Sequence, residues 1–313
     1  MHSRWTRREW LALTPTAVGS GLALAADEPA KGAPAAEPFG YCLNTSTISG
    51  QKLDLVQVVE IAAKAGYQGI EPWANELDQH VKGGKSLKDL RKLAHDQGVV
   101  FADVIAFPEW IVDDDARRRK GFEEAKRVMG LCQEIGCPHL AAPPRGATDQ
   151  PGLDLFRAAE RYAELCKLGE SMGVVPIMEV WGFSKNIRRL SEGVLVAMES
   201  GFPKACVLPD VYHLYKGGSD PRGVRLLNHD AIGIFHLNDY PAKDRATITD
   251  ADRVYPGDGV APLKRLFHDL RAIGYRGMLS LEVFNRDYWR QDALAVAMTG
   301  LEKLRAAVRA SAG

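Results

Sequence analysis

Val174-Val175-Pro176-Ile177-Met178-Glu179, Ala205-Cys206-Val207-Leu208-Pro209-Asp210, Ala231-Ile232-Gly233-Ile234-Phe235-His236 and Gly277-Met278-Leu279-Ser280-Leu281-Glu282 are four short apolar runs. Each ends on a residue able to bind a metal ion. Nearly unbroken apolar runs of this length mark strands buried on both faces, as in a parallel sheet covered by helices. A ligand at the last position sits at the carboxyl end of its strand, the face of a (β/α)8 barrel on which active sites form. Side chains alternate along a strand, so Ile177 and Glu179, Leu208 and Asp210, Ile234 and His236, and Ser280 and Glu282 share a face. The four ligands can therefore point together into a barrel mouth.

The first half supplies the remaining strands. Apolar runs at 39–43, 67–71, 99–106 and 139–142 alternate with helical stripes such as Leu53, Val56, Val59, Ile61 and Ala62, or Leu87, Leu90, Leu93 and Ala94. Gly66, Gly98, Gly136, Gly173 and Gly274 stand where helices hand over to strands, as left-handed helix ends require. Eight strands with helices between them predict one α/β domain, a single (β/α)8 TIM barrel over residues 38–313. A doubly wound open sheet is the alternative, but no Gly-x-Gly-x-x-Gly loop follows the first strand.

Charge narrows the partners. The 313 residues carry 40 basic and 40 acidic side chains, a balance without the basic surface that nucleic acid demands. Arg117-Arg118-Arg119-Lys120 follows Asp113-Asp114-Asp115, an order suited to a solvated helix start. The five cysteines form no Cys-x-x-Cys pair and imply neither a zinc knuckle nor a disulfide framework. At the N-terminus, Thr6-Arg7-Arg8-Glu9-Trp10-Leu11, a weakly apolar stretch over 11–24 and Ala23-Leu24-Ala25 resemble a cleaved twin-arginine export signal over 1–26. An Ala/Pro-rich disordered linker is expected over 27–37. The expectation is an exported, periplasmic protein with no membrane span after cleavage; if the signal reading fails, the protein is cytoplasmic.

Glu179, Asp210, His236 and Glu282 combine three carboxylates with one imidazole. That set suits one divalent ion, Mn2+, Mg2+, Co2+ or Zn2+, with positions open to substrate oxygens. A structural zinc would use mostly sulfur and nitrogen. His213, three residues after Asp210, is placed to donate to a substrate oxygen, and Asp239 to orient a metal ligand from behind. Trp73, Trp110 and Trp181 each follow a predicted strand and offer an apolar wall for a substrate.

The chain resembles the xylose isomerase-like barrel superfamily, in its sugar phosphate isomerase/epimerase branch. The resemblance runs from Phe39 onward and is carried by Met178-Glu179-Val180, Asp210-Val211-Tyr212-His213, Phe235-His236-Leu237-Asn238-Asp239, Tyr255-Pro256-Gly257-Asp258-Gly259-Val260 and the run ending at Glu282. It implies that Glu179, Asp210, His236 and Glu282 hold one metal, that Glu179 and Glu282 act as acid and base, and that His213 and Arg245 contact substrate oxygens. Ketose epimerases carry a further glutamate after the first metal-binding one, whereas Trp181-Gly182-Phe183-Ser184-Lys185-Asn186 has no acid.

A chelated carbonyl and hydroxyl acidify the neighbouring C–H, and two glutamates on different strands can remove and return its proton. The leading expectation is a metal-dependent isomerase or epimerase of a small sugar or polyol-derived carbonyl compound. A dehydratase of an inosose or dehydroshikimate-type substrate is the runner-up. A non-catalytic exported sugar- or metal-binding protein is the alternative of another class. A three-metal nuclease on the same barrel would need more histidines than the eight present. The expected partner is a small-molecule substrate, with association of identical chains left open.

Overall fold

The computed structural model describes residues 38–311, so the signal and linker expected over 1–26 and 27–37 lie outside the described residues. Strands β1 (Gly40–Asn44), β2 (Gly69–Glu71), β3 (Val100–Phe101), β4 (His139–Ala142), β5 (Val175–Glu179), β6 (Cys206–Leu208), β7 (Phe235–Leu237) and β8 (Met278–Leu281) are all parallel. They form two arcs, β3-β2-β1-β8-β7 and β4-β5-β6. A few backbone bonds join the arcs into a barrel: Ala141 N–H donates to Val104 O at 3.0 Å on one side, and Gly233 N–H to Val207 O at 3.1 Å and His236 N–H to Pro209 O on the other.

Helices α1 (Leu55–Ala65), α2 (Ala74–Lys82), α3 (Leu87–Asp96), α4 (Asp115–Ile135), α5 (Leu155–Met172), α6 (Leu190–Glu199), α7 (Val211–Gly217), α8 (Leu263–Ala272) and α9 (Ala293–Arg309) connect the strands. The five hand-over glycines all have φ between 67° and 93°, the left-handed conformation that lets a helix end turn at once into a strand. Helix α4 starts as its charges suggested. Asp114 caps it by accepting from Arg117 N–H, and Arg117 pairs with Glu109 in solvent.

The barrel interior follows the alternation. Cys42, Ala102, Ile105, Ala141, Ile177, Cys206, Leu208 and Ile234 pack on one another inside the ring of strands. Two residues further along the same faces lie Asn44, Glu179, Asp210 and His236, at the mouth.

Several strands are shorter than their apolar runs, and proline explains two of them. Pro209 has no N–H to donate, so β6 stops at Leu208 and Asp210 becomes the N-cap of α7. Pro72 interrupts the ladder between β2 and β3 in the same way. The expected strand 99–106 keeps only Val100–Phe101, with Ile105 returning to bridge Trp73.

Candidate active site

Among the described residues, Asp210, His236 and Glu282 form a buried group whose ligand atoms all lie within 4.8 Å of one another. The backbone sets this convergence. His236 N–H donates to Pro209 O at 2.9 Å, and Glu282 N–H donates to Leu237 O at 3.0 Å, which puts the three strand ends level. His236 Nδ1 lies 3.1 Å from Glu282 Oε2 and 3.7 Å from Asp210 Oδ2. Asp210 divides its two oxygens. Oδ1 caps α7 through His213 N–H at 2.8 Å, leaving Oδ2 for the cluster.

Glu179 stands outside that tight group but inside the same field. It is 4% exposed, and its Oε2 has no hydrogen-bond partner. Burial pushes its carboxyl up to about 8; Glu282 and Asp210 add to the shift, while His236 and Trp181 oppose it. Burial alone would raise Glu282 too, but His236 and Arg253 outweigh it and hold that group below the usual range.

The residues fit a divalent cation. Glu179 Oε2 is buried without a hydrogen-bond partner, and His236 Nδ1 crowds Glu282 Oε2 and Asp210 Oδ2 without a well-directed hydrogen bond, a convergence of buried polar atoms that is costly in a closed barrel. The donors are oxygen and imidazole nitrogen, the set favoured by Mn2+, Mg2+, Co2+ and catalytic Zn2+.

The ring of His236 is oriented by Glu71, at the end of β2. His236 Nε2 meets Glu71 Oε1 at 2.8 Å, leaving Nδ1 to face the cluster. Glu71 Oε2 in turn accepts from Asn44 Nδ2 at 2.8 Å and Ser280 Oγ at 2.5 Å, while Asn44 also reaches Glu282 at 3.2 Å. Asp103, buried beside them, is held well above the carboxylate range, first by burial and then by Glu71.

Asp239, the residue expected to orient a ligand, does a different task. Its carboxylate accepts from the backbone N–H groups of Tyr240, Gly257 and Ala261, folding the loop after β7 onto itself. A Cβ at Gly259 would collide with Asp239 Oδ1, so that loop admits only glycine there.

His213 lies against Arg253 at the edge of the cluster. Gly182 N–H donates to its Nδ1 at 3.2 Å, and burial lowers the imidazole to about 4. The neutral ring therefore carries its proton on Nε2. Facing that Nε2 at 3.4 Å is Nη2 of Arg253. Two donors aimed at one space are matched only by an acceptor oxygen between them.

Arg253, not Arg245, is the guanidinium at the cluster. Its Nη1 donates to both Asp210 Oδ2 and Glu282 Oε2 at 2.8 Å, and Nη2 donates to Asp250 at 2.6 Å. Arg245 lies over the ring of Tyr215 at 5.0 Å, beside a cavity of about 230 Å³ lined by Tyr240 and Pro262. The loop after His236 is long enough to offer both arginines, and sequence spacing alone does not separate them.

The aromatic wall is also revised. Trp73 and Trp181 line the mouth, joined by Phe107 at 5.3 Å and 5.7 Å between ring centroids. Phe284 touches Trp73 at 6.2 Å, and Phe183 continues the row from Trp181 at 5.1 Å. Trp110 is fully buried against Tyr162 instead, with Nε1 donating to Pro143 O at 3.0 Å, so it is core rather than wall.

A family model described as a xylose isomerase-like TIM barrel matches residues 59–307. The chain belongs to that family. It is 29% identical over 271 residues to a 3-dehydroshikimate dehydratase of Pseudomonas aeruginosa, a match that covers 83% of this chain but only 40% of that protein. It is 24% identical over 271 residues to an inosose isomerase of Bacillus velezensis, covering 85% of this chain and 96% of that one. A fructoselysine 3-epimerase of Escherichia coli O157:H7 is 24% identical over 272 residues, covering 83% of this chain and 96% of that one. Among solved structures, an IolI protein with a bound zinc atom superposes with a TM-score of 0.81 at 22% identity, covering 87% of this chain and 99% of that one. An isomerase, epimerase or dehydratase role fits these relatives, with the isomerase class first and a lyase second. Among the described residues, no helix is long and apolar enough to cross a membrane.

Proposed function

We propose that this protein is a metal-dependent isomerase or epimerase of a small polyol-derived carbonyl compound. The observation that carries the reading is the buried convergence of Asp210, His236 and Glu282 beside Glu179 Oε2, which has no hydrogen-bond partner. A divalent ion held by Glu179, Asp210, His236 and Glu282 would supply Lewis acidity to the carbonyl and its neighbouring hydroxyl.

The chain's own residues then handle the proton. Glu179 and Glu282 lie on β5 and β8 and sit in environments that push their affinities for a proton apart. Two carboxyls made unlike in this way suit opposite roles, one giving a proton while the other takes one. Glu282 takes the proton from the carbon beside the carbonyl, and Glu179 returns one from the other side. A nearby cation lowers Glu179 as well, so the roles reverse in the back reaction. His213 Nε2–H and Arg253 hold the substrate oxygen that gains charge.

Two experiments test this reading. Elemental analysis of the purified protein should find about one divalent ion per chain; three would revive a nuclease reading. A panel of keto-sugars and keto-polyols in deuterated water should show exchange at the carbon next to the carbonyl. Absence of exchange across the panel by protein carrying its metal would sink the reading. Dehydration on the same site is the second reading, favoured by the 29% identity to the Pseudomonas dehydratase; it would appear as loss of water from the same panel.

We also infer export through the Arg7-Arg8 signal. Arg7→Lys with Arg8→Lys should retain the protein in the cytoplasm, and an intact N-terminus on natively produced protein would refute cleavage.

A further inference from the structure

The rings at the mouth form a continuous collar. Phe284, Trp73, Phe107, Trp181, Phe183 and His213 follow one another with centroids 5.1 to 6.2 Å apart. Each enters after a strand's carboxyl end, so the collar belongs to the catalytic face. Trp181 is covered, at 8% exposed, but the rings on either side of it are open: Phe107 is 39% exposed and Phe183 46%. Open aromatic faces beside a reactive centre mark a surface that a ligand covers.

Charge along this row points the same way. None of the six is a lysine or an arginine. The guanidinium at the cluster, Arg253, already meets Asp210, Glu282 and Asp250. A phosphate ester lying on the row itself would meet no lysine or arginine side chain there, whereas a ring presents a flat π or C–H face that aromatic side chains stack against.

We propose that the substrate is an unphosphorylated polyol carbonyl compound bearing a ring substituent, whose face lies against Phe107, Trp181 and Phe183. The inference rests on the isomerase reading for the carbonyl end alone. An aryl ring and a second sugar both offer such a face, and the experiment separates them.

Calorimetric titration of the metal-loaded protein with glucose, glucose 6-phosphate, phenyl glucoside and cellobiose tests the collar without turnover. Phenyl glucoside or cellobiose should bind at least about tenfold more tightly than glucose, and glucose 6-phosphate no more tightly than glucose. Whichever ring-bearing probe binds more tightly identifies the source of the ring. Phe107→Ala and Phe183→Ala change exposed side chains, so they should fold normally, keep one metal per chain and lose most of that advantage. Tighter binding of the phosphate ester, equal binding of all four probes, or an advantage that survives both Phe variants would overturn the inference. Deuterium exchange confined to free or phosphorylated sugars would overturn it too while leaving the isomerase reading intact. Ring-dependent binding without exchange in any keto-substrate would sink the isomerase reading and leave the ring site standing.

Discussion

The two halves of the barrel divide the work of the site. Strands β5 to β8 end on Glu179, Asp210, His236 and Glu282, the residues that can hold a cation and move protons. Strands β1 to β3 and their loops supply what orients and surrounds them: Asn44 and Glu71 behind His236, and Trp73 and Phe107 in the wall. The difference teaches that a ligand set alone is not a site. His236 has two ring nitrogens, and the carboxylate of Glu71, from the first half of the chain, decides which one faces the cluster.

The sharpest way to break this division is to disable one member of the catalytic half while keeping its shape. Glu282→Gln retains an oxygen ligand and removes the base. Turnover should fall by about 10²–10⁴-fold while most of the metal stays bound, as read by steady-state kinetics beside elemental analysis. Near-normal turnover with metal bound would make Glu282 a ligand only. The mechanism would then reduce to transfer by Glu179 on a single face.

Arg253 ties two members of the catalytic half together through charge and gives the next largest effect. Arg253→Ala leaves Asp210 and Glu282 without their shared donor inside the barrel. Removing one partner from a buried ionic network typically costs about 3–5 kcal/mol, which thermal or urea unfolding would register. Arg245→Ala, on a half-open surface over Tyr215, should cost less than about 1 kcal/mol and leave turnover unchanged. Equal effects from the two variants would return Arg245 to the site.

The supporting half is tested at Glu71. Glu71→Ala frees the His236 ring to rotate and should weaken metal binding by about 10–100-fold, measured by competition with a chelator. Glu71→Gln keeps an oxygen acceptor for Nε2–H and should restore part of that affinity. Asp239→Ala opens three backbone hydrogen bonds in the loop after β7, so it should lower stability while metal affinity holds. Loss of metal from Asp239→Ala and not from Glu71→Ala would reverse their assignments.

The same contrast explains what the sequence disclosed. The ligands of β5 to β8 terminate long apolar runs, and that break from apolar to charged makes both strand and ligand visible together. The rule of twos that linked Leu208 to Asp210 also links Cys42 to Asn44 and Gly69 to Glu71, so the sequence carries a signal for both. Arg253 and Phe284 are different. They lie in loops, where no periodicity says which way a side chain points, and only the folded loop brings them to Asp210 and Trp73. Proline hid one strand end: Pro209 reads as part of an apolar run, yet it lacks the N–H that would continue the ladder.

The smallest expected effect concerns Trp110, whose position after an expected strand made it look like Trp73 and Trp181. Its indole is fully buried, packs on Tyr162 and donates Nε1–H to Pro143 O. Trp110→Phe keeps most of the apolar contact but strips the donor from a buried carbonyl, which typically costs about 1–3 kcal/mol. That loss should appear only in unfolding, with KM and kcat unchanged, because no atom of Trp110 belongs to the collar. Trp181→Phe should behave in the opposite way. Its ring lies between Phe107 and Phe183, so shrinking it alters the surface that meets the substrate and should raise KM with little change in stability. If Trp110→Phe raised KM as much as Trp181→Phe, the wall would have to extend into the barrel's outer layer, and the boundary drawn between packing and recognition on this side of the mouth would fail.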